Sequence, residues 1–302
     1  MLKTSVYRIL SFRLIISVPG AHMRLRVVTD SSSNVPDEWR ARLSIIEVPA
    51  VVNFGAESFL KNQLTEAEVY RRIDSSPLPP TTAQPSPAQF VSAYEQAARE
   101  GADEIIAVVV SSALSGTYSS AEIARQESPI PVHLFDARHV SMAAGWQAIV
   151  AAELVQAGSS AEAIMERLTR MRDRVSMGFT PANLKFIIAS GRVHKLRGTI
   201  GDMLNIKPVM MTVDARLEVM AQVRTQRRAL DTMLDLVLSP FRNVPLRIAV
   251  GHCNVPDQVA ALHDAILARA NVSQSFVFDL GVVLAALGGP GLLGLAVYPL
   301  ED

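Results

Sequence analysis

The sequence predicts an α/β protein of two domains: a doubly wound parallel-sheet domain over residues 23–174 and a mixed α/β domain with an antiparallel sheet over 175–302. Three observations predict it. The first half alternates β-branched runs with helix patterns, the rhythm of parallel strands joined by crossover helices. The second half holds two strand-like runs separated only by Asp214-Ala215-Arg216, a hairpin spacing that requires antiparallel pairing. The length, 302 residues, suits two domains of roughly 100–200 residues each.

Taken in order, residues 1–22 are expected to be an N-terminal extension. Lys3, Arg8 and Arg13 precede the apolar stretch Leu14 to Val18, which is too short to span a bilayer and lacks a convincing cleavage site. Met23 stands directly before a good strand. Strands are expected over Leu25 to Thr29, Ser44 to Asn53, Glu104 to Val110 and Val132 to Asp136, apolar runs without clean alternation, as parallel strands buried on both faces require. Thr65 and Glu68 form a T-x-x-E capping box that opens one helix. Ser86 caps another, with Pro87 at its first position, Gln89 three residues on and Gly101 at its end.

An alanine-rich helix is expected over Ser141 to Ala157, closed by Gly158, and Ser159 with Glu162 reads as the capping box of the next, which runs to about Arg174. Both helices read as a connector between the halves. Beyond them come the hairpin strands Ile206 to Val213 and Leu217 to Val223, a helix over Gln226 to Leu238, a strand over Leu246 to His252 and a helix over Asp257 to Ala270. Two final strands are expected to flank a Gly288-Gly289-Pro290-Gly291 turn.

Composition narrows the function. Lysine plus arginine equals aspartate plus glutamate at 29 each, so no global field draws the chain to nucleic acid or to an anionic membrane surface. Hydrophobic residues are 49% of the chain and charged ones 19%, a balance with apolar surface to bury and no transmembrane span. The lone Cys253 cannot form an internal disulfide and has no metal-ligand spacing around it. A reducing compartment, the cytoplasm, is the expected location, and no metal or cofactor is expected.

Ligands of open parallel sheets gather beyond the carboxyl ends of the strands. Here those loops are full of hydroxyls: Asp30-Ser31-Ser32-Ser33 after the first strand, Thr81-Thr82 before the Ser86 helix, and Ser111 to Thr117 after the third strand. In Ser115-Gly116-Thr117 a glycine at a helix start lets an anion reach bare backbone N–H groups at the positive end of the helix. Simple helix capping by Ser115 and Thr117 explains the same residues equally well.

An enzyme would need Ser115 as a nucleophile with a base at hand. The sequence has no G-x-S-x-G elbow, Walker loop or dinucleotide fingerprint. His133 lies inside a strand, His139 in a loop and His194 in the basic stretch Arg192 to Lys195, and none has a nameable partner. His252 and Cys253 are adjacent on a strand, where side chains point to opposite faces, and both read as packing residues. A serine-dependent hydrolase or transferase acting on a lipid ester, with Ser115 served by His252 or Asp30, is the alternative that remains. Arg224, Arg227 and Arg228 cluster at a strand-to-helix junction, where the helix dipole disfavours cations, which leaves a solvated helix start and a partner-facing surface as equal readings.

Six ordered segments together resemble the DegV family, the fatty-acid-binding subunits of bacterial fatty acid kinase. They are Val28-Thr29-Asp30-Ser31-Ser32, Thr81-Thr82-Ala83-Gln84-Pro85-Ser86, Leu114-Ser115-Gly116-Thr117-Tyr118, Ser190-Gly191-Arg192-Val193, Leu204-Asn205-Ile206-Lys207-Pro208 and Gly289-Pro290-Gly291. The resemblance implies a long-chain fatty acid held between two domains, its tail in an apolar tunnel and its carboxylate on loop hydroxyls. Carried over motif by motif, the head-group ligands are Thr82, Ser115 and the N–H of Gly116. It further implies that the protein performs no chemistry alone and presents the carboxylate to the ATP-binding kinase subunit, with Arg224 on the docking surface. Two positions depart from the family. Leu287 stands where members commonly carry a histidine donor, and Ala83 replaces a usual serine, the first loss alone worth about 1.5–3 kcal/mol at a charged acceptor.

Overall fold

A computed structural model describes residues 23–193 and 206–300. The expected extension 1–22, His194 and the Leu204-Asn205 part of its motif lie outside the described residues. The chain opens with β1 (Leu25–Asp30), α1 (Asp37–Leu43), β2 (Ile46–Val48), β3 (Val51–Phe54) and β4 (Glu57–Leu60). The single strand expected over Ser44 to Asn53 is therefore two. Ser44 is the left-handed cap of α1 at φ 54°, and Pro49, which has no N–H to give a ladder, separates β2 from β3.

Next come α2 (Glu66–Ser75), β5 (Thr81–Ala83), α3 (Pro87–Arg99), β6 (Glu104–Val109), α4 (Thr117–Arg125) and β7 (Val132–Asp136). Thr65 accepts the Glu68 N–H, and Ser86 with Gln89 makes both bonds of a capping box, as the sequence predicts. Strands β2, β1, β6 and β7 form one parallel sheet in that order, with Val28 opposite Ile46 on one side and Ala107 on the other. Strand β5, expected as loop, joins β4 and β3 in a separate three-stranded antiparallel sheet.

Two helices, α5 (Met142–Gln156) and α6 (Ala161–Arg172), follow. The cap of α6 is Ser160, which accepts from the Ala163 N–H, and not Ser159. Adjacent serines make the choice a one-residue matter that spacing alone cannot fix. Then come β8 (Ser176–Thr180), α7 (Lys185–Ser190), β9 (Lys207–Val213), β10 (Arg216–Val223), α8 (Gln226–Leu238), β11 (Leu246–His252), α9 (Pro256–Leu267), β12 (Val272–Asp279), α10 (Gly281–Gly288) and β13 (Leu293–Pro299). A two-residue turn, Asp214-Ala215 at φ 47° and 66°, joins β9 and β10 as a hairpin. These strands form a six-stranded sheet ordered β10-β9-β8-β13-β11-β12, antiparallel except for β11 beside β12.

The Gly288-Gly289-Pro290-Gly291 turn is flanked by a helix and a strand, not by two strands. The run Gly281 to Gly288 is apolar on every side because α10 is buried, so no period distinguishes it from a strand. Its stop is Gly289 at φ 74°, where a Cβ would lie 2.2 Å from the Phe186 ring. No other residue lets α10 approach α7 so closely.

The connector helix α5 lies at the centre. Every residue from Met142 to Ala152 is buried, because the helix packs between the parallel sheet and the six-stranded one within a single apolar cluster. The outer face of the parallel sheet is covered by α3 and α4, and that of the six-stranded sheet by α8 and α9. Polar tethers also join the halves: Asn34 Nδ2 donates to Leu280 O at 2.7 Å, Ser111 Oγ to Ala215 O at 2.7 Å and Tyr70 OH to Asp279 Oδ1 at 3.1 Å.

His139, in the loop before α5, is buried and donates from Nε2 to Arg172 O at 3.1 Å while Nδ1 has no partner. Burial is the main cause that lowers its pKa from 6.5 to about 4. The folded state thus keeps the imidazole neutral after the unfolded chain has taken a proton, so stability falls as pH drops through 6.5 and levels off near 4. The expected loss from this group is on the order of 3 kcal/mol. Denaturant unfolding of the unmutated chain and of His139→Gln across that window should show a smaller loss in the variant.

Candidate functional site

The site begins at Asp30, at the end of β1. Its carboxylate is buried and accepts from the Ser32 N–H and the Val110 N–H, both at 2.9 Å, so it ties the loops after β1 and β6 together. Burial raises its pKa, and those two backbone bonds oppose the rise. Several loop hydroxyls are used in the same construction. Ser31 Oγ accepts from Ala50 N at 3.0 Å, and Ser112 Oγ donates to Asp136 Oδ2 at 2.6 Å. They shape the loops and take no place on a ligand surface.

Ser115 and Gly116 sit where the chain turns into α4. The Ser115 N–H bonds Ser111 O at 3.1 Å, and Gly116 caps the helix with no side-chain bond. The turn packs against the loop that carries Thr82: a Cβ at Gly116 would meet Gln84 Nε2 at 2.7 Å and displace that side chain. Ser115 Oγ lies 2.8 Å from Thr117 Oγ1 and accepts the Thr117 N–H at 3.3 Å, so the capping role is realised too. Among the described residues neither an imidazole nor a carboxylate bonds Ser115. Asp30 is committed to backbone, and His252 Nδ1 accepts from Val255 N at 3.4 Å and stands 3.6 Å from Asp279 Oδ2. A nucleophilic serine here would have no base among the described residues.

Thr82, Ala83, Ser115, Thr117 and Leu287 line one cavity, whose void with its mouth is about 1050 Å³. Most of its wall is apolar, contributed by Met177, Phe179, Ile187, Val283, Leu284 and Leu292 among others. Gly116 stands behind this wall, and Leu287 reaches it from α10. Arg224 is elsewhere: it is exposed at the end of β10 beside the exposed Arg227 and Arg228.

The geometry adds a residue that sequence reasoning passed over. Arg192 lines the cavity, donates from Nη1 to Ser190 O at 2.6 Å and from Nη2 to Thr82 Oγ1 at 3.5 Å. It is half-buried, which lowers its pKa by desolvation, and no carboxylate pairs with it among the described residues. The available signal was Gly191, which ends α7 at φ 70° and turns the chain so that the next residue leaves the helix. Hydroxyls of Ser32, Thr82, Ser115, Thr117, Ser141 and Ser190 thus share a mostly apolar void with a guanidinium that has no carboxylate partner among the described residues. Such a site suits an acceptor-only anion with a long apolar body.

The comparisons with known proteins agree with this architecture. A family model described as "Uncharacterised protein, DegV family" matches residues 24–300. A DegV domain-containing protein of Deinococcus radiodurans is 32% identical over 285 residues, a match that covers 92% of this chain and 100% of its own. The solved structure of a fatty-acid-binding DegV family protein of Thermus thermophilus is similar with a TM-score of 0.86 at 33% identity, over 92% of this chain and 100% of its own. DegV of Bacillus subtilis, a fatty acid binding protein, gives a TM-score of 0.83 at 29% identity over 92% and 100%.

Because Asp30 holds two backbone N–H groups in a dry site, Asp30→Ala should leave both unsatisfied, at about 1–3 kcal/mol each. Asp30→Asn, which keeps one acceptor, should lose about half as much. Urea unfolding of the three proteins checks the order.

Proposed function

The chain belongs to the DegV family, and from that premise we propose that it binds one long-chain fatty acid and presents the carboxylate to the ATP-binding subunit of a fatty acid kinase, which forms the acyl-phosphate. The acyl chain occupies the cavity between the halves 23–174 and 175–302. The observation that carries the reading is Arg192, half-buried in the wall of a mostly apolar cavity and without a counterion among the described residues. A carboxylate there accepts from Arg192, Ser115 and Thr82, while Gly116, expected as a further donor, does not line the cavity. Burial of the tail supplies about 0.8 kcal/mol per CH₂, so the chain provides affinity while the head group provides orientation. No cofactor is needed, and the protein itself makes and breaks no bond.

Arg224 belongs to the kinase-docking surface in this reading. With Arg227 and Arg228 it sets positive charge at the N-terminus of α8, where the helix gains nothing from it. The protein would work in the cytoplasm, where the buried Cys253 stays reduced. Among the described residues no helix is long and apolar enough to cross a membrane.

Organic extraction of the purified protein, followed by mass spectrometry, should release about one equivalent of fatty acid. Arg192→Met and Ser115→Ala should each weaken binding of added palmitate, Arg192→Met by about 1.5–3 kcal/mol, which is roughly 10–150-fold in Kd. The methyl ester, which leaves the Arg192 charge uncompensated, should bind Arg192→Met at least as well as the unmutated chain. Preference of the unmutated protein for the ester would overturn the head-group assignment.

Arg224→Glu tests the partner separately. It should leave palmitate binding unchanged and slow acyl-phosphate formation in a reconstituted kinase assay. Wild-type phosphorylation by the variant would return Arg224 to the status of a surface charge.

A further inference from the structure

The wall contributed by the six-stranded sheet carries a pattern that the family resemblance does not supply. Residues directly opposite one another across a sheet share a face, so each row of partners lines one level of that wall. The first row, just past the Gly-Pro-Gly turn, reads Phe179, Gly294, Gly251, Phe278 across β8, β13, β11 and β12. Two residues further along each strand, on the same face, the row reads Met177, Ala296, Ala249, Phe276. The third sets Tyr298 opposite Arg247 on the two central strands. Along β13 and β11 the inward side chains therefore grow from hydrogen to methyl to phenol and guanidinium.

The void follows that gradient. All of the first row lines the cavity, as do Met177, Ala296 and Ala249 of the second, whereas Tyr298 and Arg247 do not. The outward residues of the same strands, Ile248, Val250, Leu295 and Val297, are large and packed under α8 and α9. On β11 and β13 the small side chains thus fall on the face that meets the void, whereas β8 carries a small residue, Gly178, on the outer face under Met233 and Val237. The inward ones leave a trench along β13, flanked by Phe179 and Met177 of β8, while over Gly251 of β11 the space is taken by Leu280 and Phe278, which a Cβ there would meet at 2.8 and 3.0 Å.

The trench has a firm end. Arg247 Nη1 donates to Glu153 Oε2 at 2.7 Å and its guanidinium stands 6.0 Å from the centre of the fully buried Trp146 ring. Tyr298 OH accepts from Arg167 Nη2 at 2.6 Å. A longer tail could advance only by breaking these partly buried, charge-assisted bonds. We propose that Ala249 and Ala296, backed by Arg247 and Tyr298, gauge acyl-chain length: the terminal methyl of the longest fully held chain stops at this row.

This inference rests on the fatty-acid reading, and its test separates the two. On the unmutated protein, Kd along a saturated series from laurate upward should improve about fourfold per methylene, the equivalent of about 0.8 kcal/mol, and then stop improving. Ala296→Leu, and the smaller step Ala249→Val, add carbon to the void. Each should move that plateau to a shorter acid, weakening stearate and palmitate about fourfold per methylene excluded while laurate changes less than twofold. Melting curves establish that each variant is folded.

A series that improves without a plateau overturns the gauge with no variant needed. So does a folded variant whose plateau stays in place, or one that weakens all chain lengths equally. If the unmutated protein binds none of these acids, the fatty-acid reading itself falls.

Discussion

The fold depends on one packing constraint: α5 must be apolar on every side, because it is the helix shared by two sheets. A helix on the surface of one sheet needs a single apolar stripe, whereas α5 buries every residue from Met142 to Ala152. Its alanines keep it thin, and Trp146 fills the gap towards Trp39 and Phe276 with ring centroids 5.8 and 5.5 Å away. Both halves thereby share one core. The cavity lies where that packing is incomplete, over the glycine and alanine rows of β11 and β13, which lie against the void.

Such a void costs stability in proportion to the contacts its walls forgo. The protein keeps the cost on apolar walls, where no polar group is stranded, and concentrates the unfinished electrostatics at Arg192. Ser31, Ser112 and Asp30 are satisfied within the loops, while half-buried Arg192 has, among the described residues, only carbonyl and hydroxyl partners. An anion with an apolar tail would relieve both deficits together. In the proposed function, ligand binding is therefore also stabilisation of the fold.

Much of this was legible in the sequence. The parallel sheet followed from β1, β6 and β7, the caps of α2 and α3 from Thr65 and Ser86, and the hairpin from the short Asp214-Ala215 connection. What was lost has physical reasons. Residues 281–288 form a short run buried all round, and neither period marks it as helix. The β3-β4-β5 sheet is small, and β5 is three residues long, which leaves pattern reading little to detect. Thr82, Ser115 and Leu287 were reached through motifs, but Arg192, although it stands in the Ser190-Gly191-Arg192-Val193 segment, was given no ligand role. Its half-burial depends on α7, β5 and the cavity together. The rows of the trench are more remote still, since Met177, Ala296 and Ala249 become neighbours only through strand register.

The two departures from the family pattern now have a physical setting. Leu287 and Ala83 both line the cavity, so each removes a donor from the wall itself. Neutral donors serve an ester carbonyl nearly as well as a carboxylate, because both offer lone pairs to an O–H or N–H. A guanidinium does not treat them alike: an ester would leave the charge of Arg192 desolvated and uncompensated, whereas a carboxylate cancels it. Taking away neutral donors while keeping the cation therefore sharpens the contrast between acid and ester, even if total affinity declines. In the proposed function the head-group choice of this chain rests on Arg192 more heavily than it would with a histidine at position 287. Leu287 instead adds apolar surface to the wall, which leaves Arg192 as the charged group of the lining that a carboxylate can pair with.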